Sequence, residues 1–82
     1  MTAPQSPAEA YIATTRALRA STESISQFIQ ADPENFQRLN ELQRQREEAY
    51  QNWFNAASML KNLPTSELAN AIDHIETVLG YE

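Results

Sequence analysis

DPENFQRLNELQRQREEAYQNWFNAASMLKNL, the stretch from Asp32 to Leu63, decides the fold. It lies between the steps Asp32-Pro33 and Leu63-Pro64, holds no glycine and no proline after Pro33, and is dense in Gln, Glu, Arg, Leu and Ala. Such a composition predicts one long helix over 33–62, capped by Asp32 and opened by Pro33, with Glu34 complementing the dipole in its first turn. At 1.5 Å per residue it would run roughly 42 Å. Phe36, Leu39, Gln43, Arg46, Tyr50, Trp53, Ala57 and Leu60 recur along it at alternating steps of three and four, the spacing of a helical seam.

Upstream, Ser6-Pro7-Ala8-Glu9 reads as a helix start, with Ser6 as N-cap, Pro7 at the first helical position and Glu9 placed for a capping box. The first five residues carry no periodicity and are expected to be loose. A stripe then follows through Ala8, Tyr11, Thr15, Leu18, Thr22, Ile25 and Ile29, and the helix must stop near Ala31 because Pro33 disfavours helical geometry in the residue before it. The first helix therefore spans 7–31, and the very short connection folds it back on the second as an antiparallel hairpin. Folding about Asp32 pairs Ile29 with Phe36, Ile25 with Leu39, Thr22 with Gln43, Leu18 with Arg46 and Tyr11 with Trp53, each pair of numbers adding to 64 or 65. A constant sum is what an antiparallel register requires.

Beyond Pro64, residues 66–79 form a third, shorter helix with Thr65 as N-cap, Gly80 at its C-terminal stop, and Leu68, Ala71, Ile72, Ile75, Val78 and Leu79 on one face. Turned back against the second helix, it would set Leu68 by Leu60, Ile72 by Ala56, Ile75 by Trp53 and Leu79 by Ala49. The fold class is all-α: one domain over 1–82, a long coiled-coil-like antiparallel hairpin with a shorter third helix on one half, giving a three-helix bundle. A helix of about 14 residues covers only roughly 21 Å. The other half of the hairpin is thus expected to protrude as a two-helix tip, where Ile25, Phe28, Ile29, Phe36, Leu39 and Leu42 lack a third layer.

Composition bounds what such a chain does. Of 82 residues 41% are apolar, but twelve of these are Ala and 22 are larger, so the core is small and completion by oligomerisation is a natural outcome. The absence of Cys rules out disulfides and thiolate metal sites. The opening residues carry no basic, apolar leader, and no stretch approaches the roughly 18 to 20 apolar residues of a membrane span, so a cytoplasmic protein without membrane contact is expected. The net charge of −5 opposes direct nucleic-acid binding, since phosphates are met by Lys and Arg and only six are present. That acidity is concentrated in residues 63–82, where Glu67, Asp73, Glu76 and Glu82 face no base at all.

Side chains that could carry chemistry are few. His74 has Asn70, Ala71, Thr77 and Val78 as its helical neighbours, no carboxylate or second histidine among them, which reads as a surface residue rather than a metal ligand or base. Glu34, Arg38, Glu41, Arg44, Glu47 and Glu48 interleave at three and four, the ladder of a solvated face. No catalytic residues, cofactor or metal are expected, and with a single glycine a phosphate-cradling loop is excluded. Arg46 is unusual, because it interrupts an apolar stripe; its stem can lie along the hairpin while its head reaches out, toward Glu23, or it can serve as a register-fixing polar position. Tyr50 and Trp53 anchor the three-helix end with Tyr11 and Ile75. Phe54 falls in a row with Asn40, Glu47 and Lys61, and Phe28 in a row with Thr14 and Ser21, so both should sit at an edge.

The reading that follows is a non-enzymatic protein-interaction module, self-associating or docking on a protein partner through the hairpin tip, with Phe28, Phe36, Leu39, Leu42, Arg46 and Phe54 as contact residues. The alternative is an acidic antagonist, of the small stand-alone kind found in phages and mobile elements, whose base-free C-terminal segment blocks an enzyme or a nucleic-acid-binding protein.

Overall fold

A computed structural model describes residues 6–80, so the first five residues, read above as loose, lie outside the described part. Three helices make up the chain: α1 (Pro7–Ala31), α2 (Phe36–Lys61) and α3 (Thr65–Leu79). The molecule is an elongated three-helix bundle of 50 × 26 × 25 Å. Its long dimension is that of the α1/α2 hairpin.

α1 begins as its sequence demands. The Ser6 side chain accepts a hydrogen bond from the Glu9 amide at 3.2 Å, and Pro7 opens the helix. α2 begins three residues later than expected. Asp32 closes α1 instead, donating its amide to the Phe28 carbonyl at 2.8 Å, while Pro33 and Glu34 form a turn. The cap of α2 is Asn35, whose Oδ1 accepts from the Arg38 amide at 3.2 Å. Asn caps as well as Asp, and its later position gives the chain four residues in which to reverse rather than one. α3 likewise differs in detail: Thr65 is its first residue, after Pro64, with no side-chain cap. Gly80 keeps right-handed geometry with φ −65°, so the stop does not use the left-handed conformation glycine permits. It is needed for closeness instead, because a Cβ there would stand 2.5 Å from the Glu76 carbonyl oxygen.

Tyr11 and Trp53 meet with ring centroids 5.9 Å apart and Leu18 and Arg46 border one depression, as the expected pairs require, while Arg46 also donates from Nε to the Thr22 Oγ1 at 3.2 Å. The seam has turned by one residue on both helices. In heptad terms the row Tyr11, Leu18, Ile25 and the row Leu39, Arg46, Trp53, Leu60 face each other as expected. Their companions, however, are Thr14, Ser21 and Phe28 on α1 and Leu42, Ala49 and Ala56 on α2, all buried or half-buried, whereas Thr22, Ile29, Phe36, Gln43 and Tyr50 are exposed. Small side chains explain the choice. Ser21, Thr14, Ala49 and Ala56 let the two backbones approach, where Phe36 and Tyr50 would hold them apart.

α3 closes one end. It leans chiefly on α1 and only lightly on α2; of the pairings expected along α2, Leu68 and Leu60 border one groove, while Ile72 is left exposed. Ala8 and Ala71, both buried and bordering one crevice, allow that close approach, and Ile12 is buried with them. The core so formed is small. Ala8, Ile12, Leu42, Ala56 and Ala71 are its buried members, and among the described residues no large side chain is fully buried.

Candidate interaction surface

Because an antiparallel pair places the residue just past each inner seam position on the same flank, the displaced row forms one continuous side of the hairpin. Ile29 and Phe36 stand at its tip, Thr22 and Gln43 in the middle, and Tyr50 and Ala57 toward the three-helix end. Phe54, one turn beyond Tyr50, extends the same side. Six large hydrophobic side chains are exposed among the described residues, and five of them belong here: Ile29, Phe36, Tyr50, Phe54 and, across on α3, Ile72. Phe36 at 68% and Phe54 at 50% are the most open. Met59, the sixth, lies on the other side of α2.

α3 covers only the lower half of this flank, which is why Ala8, Thr15 and Ala57 are sheltered while Thr22, Ile29 and Phe36 are not. Its tilt toward α1 leaves a groove of about 320 Å³ on its α2 side, floored by Tyr11 and Leu60 and walled by Leu68, Ile72, Ile75 and Glu76. Tyr50 and Tyr11 both stand against Trp53, at 5.8 and 5.9 Å, so the aromatic cluster at the inner end of the flank is held in place by the seam. Above it a wider depression of about 500 Å³ lies between Leu18, Thr22, Ser26 and Arg46.

The residues singled out from sequence are distributed unequally over this geometry. Phe36 and Phe54 are on the flank and open. Leu42 is drawn into the seam at 8% exposure, and Phe28 and Leu39 are half-buried beside it. Arg46 is exposed and bonded to Thr22 rather than to Glu23. Sequence reading did not single out Ile72 as a surface residue, since it shares the face of Leu68 and Ile75; only the tilt of α3 leaves it bare.

Polar chemistry is sparse. Arg38 and Glu41 form an ion pair at 2.9 Å, with both side chains nearly half exposed, the one rung of the expected ladder given by the described residues. His74 is exposed beside Glu9, Ile12, Arg16 and Val78. Among the described residues no three His, Cys, Asp or Glu side chains are grouped to hold a metal ion, and no helix is long and apolar enough to cross a membrane. No family model, curated protein or solved structure matches the chain.

Proposed function

We propose that this chain is a non-enzymatic protein-interaction module that meets its partner with the flank carrying Phe36, Tyr50, Phe54 and Ile72. The observation that carries the reading is the gathering of five of the six exposed large hydrophobics on that one side. Scattered singly they would mean nothing; a row of aromatic and branched side chains along about 30 Å of helix is what a docking surface presents. The contact extends from the hairpin tip down to α3 rather than being confined to the tip.

Phe36→Asp combined with Phe54→Asp tests it. Both side chains are half exposed or more, so the helices should persist in circular dichroism while association, whether with itself or with another protein, is lost. Association that survives both charges ends the reading.

An acidic antagonist remains the second reading, favoured by the exposed Glu67, Asp73 and Glu76 on a helix without a base. Its binding would weaken steeply with salt, whereas docking by the apolar flank would not.

A further inference from the structure

We infer that the occupant of this flank is a second copy of the chain, laid antiparallel so that α3 of each copy fills the uncovered half of the other's hairpin. The inference rests on the interaction reading above and names its partner. Two observations converge on it.

The first is shape. α2 has 26 residues and α3 has 15, or about 39 and 22 Å, so α3 leaves a notch of about 17 Å along the hairpin. A molecule with a raised half and a bare half of similar length is complementary to itself under a two-fold axis. Leu60 and Leu68 border one groove, so Leu79, eleven residues along, ends about 16 Å farther, level with Ala49. A two-fold axis at that level brings α3 of the second copy alongside Phe36 to Arg46.

The second is charge. Between Thr65 and Leu79 the chain carries Glu67, Asp73 and Glu76 and no Lys or Arg, with Lys61 bordering the same groove as Glu76. Arg46 sits in the notch, bonded to Thr22, in a depression that Arg19 and Glu23 also border. The same two-fold axis sets Glu76 of the second copy level with Arg46 and its exposed Ile72 between the levels of Arg46 and the open Phe36. Opposite charges then meet beside exposed apolar side chains, and the contact occurs twice.

The experiment is sedimentation and light scattering of the full chain over a wide concentration range, with Arg46→Glu, Glu76→Lys and their equimolar mixture. The wild type should give twice the monomer mass. Each single variant should weaken the dimer about tenfold or more while keeping its helicity, and mixing the two should restore it, because in the mixed dimer the two altered residues face each other as opposite charges at one contact and the native Arg46 and Glu76 meet at the other. A dimer indifferent to both substitutions, or unrescued by mixing, overturns the arrangement. A chain that stays monomeric to its solubility limit overturns it as well. If another protein is still captured by that monomer and released by Phe36→Asp with Phe54→Asp, only the second copy is ruled out and the interaction reading stands.

Discussion

The two ends of this molecule are made of the same two helices yet differ in how completely they are built. At the open end of the hairpin, where α3 lies, Ala8, Ile12, Ala56 and Ala71 are buried and three aromatic rings meet in sequence at tilted angles. At the turn, Leu42 is the nearest buried residue, and Ile29 and Phe36 face water. Fifteen residues of α3 make the difference. A pair of helices has one seam to fill, and a third helix turns that seam into a core with depth. The tip keeps its helices through continuity with the head and through capping, so the two halves should fail in different ways.

The largest effect should come from emptying the head. Ile12 is buried between α1 and α3, and Ile12→Ala should cost about 2 to 4 kcal/mol, a large part of the total for a domain of this size. In a thermal melt that is a loss of about 10 to 25 °C. Phe36→Ala, which removes a larger side chain from the tip, should leave the melt of the dilute chain nearly unchanged. Equal losses from both substitutions would show that the tip has the same depth of packing as the head.

How far this asymmetry was legible depends on the element. The proline steps, the Ser6 cap and the three-four spacing were enough for an all-helical hairpin with a shorter third helix. The flank was not legible, because positions three and four residues on from Tyr11, Leu18 and Ile25 both complete a seam. Pattern favours the bulky row of Thr15, Thr22, Ile29, Phe36 and Tyr50; packing favours the small row of Thr14, Ser21, Ala49 and Ala56. Hydrophobicity alone cannot weigh close backbone approach against side-chain area, so the row read as core became surface. The start of α2 was hidden for a related reason. Asp32-Pro33 and Asn35 are both good caps, and the length of chain needed to reverse direction decides between them.

A smaller effect, of opposite sign, follows from the side of the head where α1 meets α3. Thr14, Thr22 and Thr77 each return their hydroxyl to the carbonyl four residues back, but the Thr15 hydroxyl is buried without a partner, and the Tyr11 carbonyl it would use already accepts from Thr14. Thr15→Val keeps the shape and removes the unsatisfied oxygen. It should stabilise by about 1 kcal/mol and raise the melting temperature by about 4 to 8 °C. No gain would mean the hydroxyl finds a partner in solution, and the head would then be less tightly closed than its packing implies.

The smallest effect separates the ends most finely. Ser6 and Asn35 make equivalent caps, each accepting from the amide three residues on at 3.2 Å, one at the head and one at the tip. Replacing either by Ala removes about 0.5 to 1 kcal/mol of helix stability. Where the loss is felt should differ. Ser6 begins the turn that carries Ala8 and Ile12, so Ser6→Ala should lower the melting temperature by a few degrees, through the cooperative unfolding of the whole head. Asn35 begins a turn whose side chains are mostly exposed, and this end can open without disturbing the head. Asn35→Ala should therefore spare most of the melt and appear in hydrogen exchange, as faster exchange of the first amides of α2 alone. In the two-copy arrangement that acceleration should fade as concentration rises, since α3 of the second copy would then hold the tip closed. Exchange that accelerates along the whole of α2 would instead make the hairpin one cooperative unit, with its tip as firmly held as its head.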